Sequence, residues 1–234
     1  LASTVAAALP AHGESWSLYV DSAEWPLVAA LEQLCRGCHR VFIATPPQLV
    51  LLTQSDAGRA LLALAKQTPA LDVLLSKSLV DLSVERVKAN KPPPWGAPLV
   101  SIPTDTPILS ALEQMVSTSV RAMPVVQSAN GRLFSTLSIS DFRAVSPDNA
   151  PVLHSVSTAR FLELAHGGSV RLAVSCGATT SLKWILETLL KERIHHVWVI
   201  NVQGDPIGAF GYTDLFKLVL EYNDADMEQE PQCF

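Results

Sequence analysis

Ala30-Leu31-Glu32-Gln33-Leu34 recurs as Ala111-Leu112-Glu113-Gln114-Met115, and a looser third copy reads Ile185-Leu186-Glu187-Thr188-Leu189. Each run has helical apolar spacing and is followed by a short apolar stretch with the character of a strand. Those stretches are Val41-Phe42-Ile43, Met123-Pro124-Val125-Val126 and Val197-Trp198-Val199-Ile200. A second strand is predicted in each copy, at 49–53, 133–138 and 207–211. Asn130-Gly131 and Gly204-Asp205 fall between paired strands, where Gly and Asn supply the positive φ of a tight turn. Each copy closes on a hydroxyl residue and an aspartate that open an apolar helix: Ser55-Asp56, Ser140-Asp141 and Thr213-Asp214. With a leading strand at 18–20, 99–102 and 170–174, the unit reads β-α-β-β-α three times.

The repeat divides the chain. An Ala-rich segment, 1–13, precedes a first unit at 14–66, and its opening stretch is expected to be a short helix. A connector, 67–96, carries Leu71, Leu74, Leu75, Leu79 and Leu82 at the spacing of one buried helical face, and Lys91-Pro92-Pro93-Pro94 ends it as a stiff link. The second unit spans 97–146, a second connector 147–167, and the third unit 168–222. In and just after that second connector, Phe161 to Ala165 reads as a helix stopped by Gly167-Gly168. An acidic tail, 223–234, is expected to be solvated and mobile.

The 234 residues are 48% apolar and 17% charged, against about 25% charged in an average soluble domain. That excludes disorder. A net charge of -5 excludes a generally basic nucleic-acid binder, and no apolar run approaches the roughly 18 residues that span a bilayer. Four cysteines (Cys35, Cys38, Cys176, Cys233) are too few for a disulfide scaffold, so a reducing compartment is expected, cytoplasmic first, with plastid or nucleus as alternatives. The chain opens on Leu1 and is read as a fragment, with a cleaved transit segment upstream as an alternative.

The β-α-β-β-α unit ending in a hydroxyl-x-hydroxyl-Asp motif resembles the cystathionine-β-synthase (CBS) domain. Within that family, His39-Arg40-Val41, His195-His196-Val197 and Thr53-Gln54-Ser55-Asp56, with Ser138-Ile139-Ser140-Asp141 close behind, resemble the gamma subunit of the AMP-activated protein kinase. The resemblance implies an α+β fold of tandem units packed in pairs as Bateman modules, with adenine nucleotide (AMP, ADP or ATP) in clefts between units. It also implies a regulatory role toward a kinase or other enzyme complex, with no catalysis and no metal. Because units pair, three copies imply a fourth outside this chain or pairing in a homodimer.

Carried over residue by residue, the resemblance gives the ribose hydroxyls to Asp56, Asp141 and Asp214, each of which reads by default, on sequence alone, as a helix cap. Phosphate or hydroxyl contacts fall to His39, Arg40, Thr53, Arg121, Ser138, Ser140, His195, His196 and Thr213, whose basic members read otherwise as solvated strand ends. Ile102 and Val174 are expected to line an adenine slot. Copy two has Ala122 where the others have Arg40 and His196, and copy three has Gly211 where the others have Thr53 and Ser138. Copy one has a clipped Thr45-Pro46-Pro47-Gln48 turn and little bulk at Ala57-Gly58, so it is the expected degenerate member.

One motif competes. Cys35-Arg36-Gly37-Cys38-His39 has the spacing of a c-type haem attachment, with His39 as iron ligand. The corresponding positions of the other copies, Ser119-Val120-Arg121 and Arg193-Ile194-His195, lack cysteine, so Cys38 reads more simply as a small buried residue. Glu32, Glu113 and Glu187 recur on helix faces as solvent-facing helix formers. The alternatives to nucleotide sensing are thus a ligand-free CBS scaffold and, at a distance, the haem protein.

Overall fold

The computed structural model describes residues 20–22, 26–36, 39–45, 47–96, 99–146 and 150–229. The expected helix at the N-terminus, Leu18 and Tyr19 of the first strand, Cys38 and Cys233 lie outside them.

The repeat folds as three small sheets of identical topology. In the first, β1 (Val20–Ser22) runs parallel to β2 (Arg40–Thr45), which pairs antiparallel with β3 (Gln48–Thr53). In the second, β4 (Ile102–Pro103) runs parallel to β5 (Ala122–Val126), and β5 pairs antiparallel with β6 (Leu133–Ser138). In the third, β7 (Ser175–Gly177) is parallel to β8 (His196–Ile200), which neighbours β9 (Pro206–Gly211). The helices before the central strands are α1 (Leu27–Cys35), α5 (Ile108–Ser117) and α7 (Leu182–Glu192), with α2 (Gln54–Ala65) and α8 (Tyr212–Gln229) closing the first and third copies. The second copy closes on a single 3-10 stretch, Ile139–Ala144, in place of the expected α-helix.

The connectors depart from the sequence reading in two respects. The leucine stripe is not one helix but two, α3 (Pro69–Ser76) and α4 (Leu79–Lys88). Ser78 restarts the helix: its hydroxyl accepts the Asp81 amide while the Asp81 carboxylate accepts the Ser78 amide, satisfying two otherwise unpaired donors. The helix at 161–165 starts earlier, as α6 (Thr158–Ala165). Two further expectations are corrected. The leading strand of copy three is Ser175–Gly177, whereas in the 170–174 stretch the Arg171 carbonyl accepts from Ser135 and the Ala173 amide donates to Phe134. The acidic tail is not free from 223 onward, since α8 continues through Gln229 on Ala, Met, Glu and Gln, all good helix formers.

The chain divides into two units: Leu1–Lys77 with Ser181–His195 and Gly211–Phe234, and Ser78–Thr180 with His196–Phe210. The third repeat is thereby split, its sheet belonging almost wholly to the second unit and its helices to the first. In the first unit Leu31, Leu34, Leu61, Leu75, Leu186, Tyr212 and Phe216 are buried. Gly58 lets α2 come close there: a Cβ at Gly58 would meet both Leu186 and Tyr212 at 3.0 Å. The low bulk noted in the sequence is therefore a packing requirement. In the second unit Ile102, Ile108, Met115, Met123, Val125, Leu137, Phe161 and Leu162 form one apolar cluster. Ile102, fully enclosed in that cluster, lines no open slot, contrary to the expectation for adenine. The Pro-rich link is anchored in the same unit, where the Trp95 carbonyl accepts the Ala209 amide at 3.2 Å and the Arg86 guanidinium donates to the Pro92 carbonyl at 2.7 Å.

Candidate functional site

The three aspartates occupy one stereochemical position, one turn inside the segment that follows the second hairpin strand. The caps themselves are Thr53 and Ser138, and each aspartate reaches back to the chain entering the turn. Asp56 Oδ2 accepts the Thr53 amide (3.0 Å) and hydroxyl (2.6 Å), Asp141 Oδ2 accepts the Ser138 amide (2.7 Å), and Asp214 Oδ2 accepts the Gly211 amide (2.9 Å). The cap reading and a ligand role therefore coexist, because this geometry uses one carboxylate oxygen and leaves the other.

The remaining oxygen distinguishes the copies. Asp56 Oδ1 is held by the Arg59 guanidinium at 2.6 Å. The Thr53 hydroxyl, opposed by partial burial and helped by the Thr53 amide and Arg59, holds the Asp56 carboxyl below the ordinary carboxylate range. Asp141 Oδ1 lies 3.2 Å from His166 Nε2, with both side chains largely enclosed. Asp214 has no hydrogen bond from another side chain among the described residues. Burial raises its pKa above the ordinary value, against the opposing pull of the Gly211 amide and Lys217.

In the first unit, residues of copies one and three meet. Gln54 is buried; its Nε2 donates to the Leu34 carbonyl (3.3 Å) and the Thr213 hydroxyl (3.2 Å), while Oε1 lies 3.4 Å from His39 Nδ1. His39 and His195 stand edge to face at 6.4 Å between ring centroids, and His195 stands likewise to Tyr212. Burial, then the neighbouring His39 and Arg40 charges, lower the His195 pKa. The Tyr212 hydroxyl is enclosed without a hydrogen-bond partner among the described residues. Thus His39, Arg40, Thr53, Asp56, His195, Thr213 and Asp214 all belong to this unit.

Arg121, Ser138, Ser140, Asp141 and His196 belong to the second. Arg121 and Ser140 are exposed, and the Ser140 hydroxyl shares a 2.9 Å hydrogen bond with Ser138. His196 packs edge to face on Trp198 at 4.6 Å, whose indole nitrogen donates to the Thr136 hydroxyl at 2.7 Å. Sequence reasoning passed over Gln54, Tyr212 and His166. The signal for Gln54 and Tyr212 was positional, since both directly follow the last residue of a hairpin strand. His166, the last residue before Gly167-Gly168, stood where a helix stop turns the chain.

The Cys35 thiol donates to the Thr213 carbonyl at 3.8 Å, and burial, partly offset by Lys217, pushes its pKa to about 11. Such a thiol is not a poised nucleophile at neutral pH. Among the described residues no group of three or more His, Cys, Asp or Glu is placed to hold a metal ion. No helix among them is long and apolar enough to cross a membrane.

The CBS domain model matches residues 93–148 and 172–221, leaving the first repeat outside the matched ranges. The SNF1-related protein kinase regulatory subunit gamma-like PV42b of Arabidopsis thaliana is 22% identical over 87% of this chain and 63% of its own length. Protein SDS23 of Candida glabrata is 26% identical over 73% of this chain and 33% of its own. The chain thus spans less than two thirds of these relatives. Among solved structures, a Methanocaldococcus jannaschii protein described as a candidate archaeal homologue of g-AMPK aligns with TM-score 0.62 and 18% identity, over 86% of this chain and 67% of that one. An uncharacterized conserved protein of Pyrococcus horikoshii aligns with TM-score 0.60 and 19% identity, over 87% and 79%. These likenesses show the fold: tandem CBS units.

Proposed function

Because the chain is a CBS-domain protein, with the domain matched at two places, we propose that it is a regulatory module that binds an adenine nucleotide and so controls a partner protein. The observation that carries this reading is Asp214. It is a half-buried carboxylate with one oxygen on a backbone amide and, among the described residues, no side chain on the other, in the same unit as the basic residues His39, Arg40 and His195. A carboxylate in that state can accept hydrogen bonds from two vicinal ribose hydroxyls, and the basic side chains can donate to phosphate. The cost of keeping the carboxylate half-buried is of the kind a ligand can offset.

The nucleotide acts by favouring one arrangement of the repeats over another, in proportion to its differential affinity for the two. The partner is a kinase or another enzyme complex, or a second copy of the chain that supplies the missing even number of repeats, and the setting is a reducing compartment such as the cytoplasm. The module itself is regulatory, not catalytic. Thermal unfolding with AMP, ADP and ATP tests the reading. Ligand at 100 times its dissociation constant adds about 2.7 kcal/mol, which moves the midpoint by several degrees. No shift with any of the three at millimolar concentration overturns it.

A second reading, a ligand-free CBS scaffold for assembly, is favoured by a specific observation: Asp56 and Asp141 are already engaged by Arg59 and His166. It predicts partner binding that is indifferent to nucleotide.

A further inference from the structure

Asp141 is held by a device the other copies lack. His166 caps the C-terminus of helix α6, and Gly167 and Gly168 follow with φ of 75° and 101°, a conformation that glycine adopts readily. The Gly168 amide returns to the Glu163 carbonyl at 2.8 Å, closing the helix. The chain then doubles back so that the Arg171 amide donates to His166 Nδ1 at 3.3 Å. A ring nitrogen that accepts an N–H carries no proton, so the proton of the neutral imidazole sits on Nε2. Nε2 is the nitrogen 3.2 Å from Asp141 Oδ1. The ring is thus fixed at both ends, and its N–H points at the carboxylate oxygen that the Ser138 amide leaves open. The side chains are only 10% and 14% exposed, so water competes weakly for this bond.

We propose that His166 is an internal occupant of the second repeat: it takes the place of a ribose hydroxyl on Asp141 and closes that carboxylate to nucleotide. This rests on the reading of the aspartates as ribose acceptors and deepens it, since it assigns the regulation of one such position to a residue of the connector. The imidazole N–H supplies the donor that a ribose hydroxyl would supply, and it is tethered, so a free nucleotide must displace it against a high effective concentration. Asp214, with no such occupant among the described residues, stays open. Of these two aspartates, only Asp214 is then open to nucleotide in the resting chain.

Equilibrium dialysis of the full chain against labelled AMP tests this, with far-ultraviolet circular dichroism to confirm that each variant is folded. Wild type is expected to bind one AMP per chain, lost in Asp214→Ala. His166→Ala is expected to bind a second, and His166→Ala/Asp141→Ala to return to one. His166→Gln, whose amide can still donate to Asp141, is expected to stay at one. A folded His166→Ala that remains at one AMP overturns the proposal while leaving nucleotide binding intact, as does a wild type that already binds a second AMP through Asp141. AMP bound by His166→Ala but not by wild type supports the occupant and overturns the role of Asp214. No binding by any variant overturns both.

Discussion

The Gln54 side chain donates to the Thr213 hydroxyl at 3.2 Å, joining the turn of the first repeat to that of the third across 159 residues of sequence. The same amide reaches the Leu34 carbonyl at 3.3 Å, and its oxygen lies 3.4 Å from His39 Nδ1. One buried side chain therefore serves three partners drawn from two copies of the repeat. Gln54→Ala strands a carbonyl and a hydroxyl in a buried setting, at a cost of about 1–3 kcal/mol for each group left unsatisfied. Urea unfolding should show a lower midpoint with little change in slope. An unchanged midpoint would mean the hydrogen bonds are not made.

Asp214 works against stability in the empty protein. Burial raises its pKa, so the folded state holds that proton more firmly than the unfolded chain. Its stability contribution is greatest at low pH and is lost as pH rises through the folded pKa. Asp214→Asn keeps an oxygen for the Gly211 amide and removes the charge. It should raise the melting temperature at neutral pH, by roughly 2–4 °C for each kcal/mol relieved. The gain should shrink as pH is lowered toward the folded-state pKa. A lower melting temperature at neutral pH would contradict the burial argument.

His195 should report on phosphate. Burial and the adjacent His39 and Arg40 charges hold its pKa below the ordinary 6.5. In the empty protein this lowers stability as pH falls below the ordinary value, because the unfolded chain takes up the proton first. A bound phosphate reverses the local field and raises the pKa, so AMP binding should take up protons and tighten as pH falls below the ordinary value. Titration of the His195 ring by NMR, with and without AMP, reads this directly. An unmoved His195 would remove it from the phosphate site.

Gly208 is fixed by the linker. A Cβ there would collide with Trp95 Cδ1, so Gly208→Ala must push the indole aside. The expected loss is about 1–3 kcal/mol, typical of overpacking. A red shift of tryptophan fluorescence and faster proteolysis at Lys91 should accompany it. Unaltered fluorescence would show that Trp95 does not cover β9.

The repeat was legible because each copy is written in local code: an apolar helical run, two short apolar strands, a turn and a hydroxyl-Asp pair. The break in the leucine stripe was also written locally, in Ser78 and Asp81, but the i, i+3, i+4 spacing of the leucines overrode it. The leading strand of copy three was misplaced because Val170-Arg171-Leu172-Ala173-Val174 has better strand character than Ser175-Cys176-Gly177, while pairing with Trp198, Val199 and Ile200 decides the matter. The candidate aspartates were found by position in the repeat. Arg59, three residues beyond Asp56 in the same helix, lay within local reach, whereas the partner of Asp141 was not legible, because His166 is placed by where the chain returns after the turn. His166 in particular depends on a Gly-Gly stop followed by an amide five residues on.

The central claim is that Asp214 receives the ribose of an adenine nucleotide, and calorimetric titration with AMP tests it most directly. Wild type and Asp214→Asn are titrated side by side, since Asn keeps the turn and loses the charge-assisted acceptor. The account predicts saturable binding by wild type and a loss of about tenfold or more in Asp214→Asn, corresponding to about 1.4 kcal/mol or more. Equal affinity in the two proteins, or no heat of binding in wild type at millimolar AMP, would contradict it.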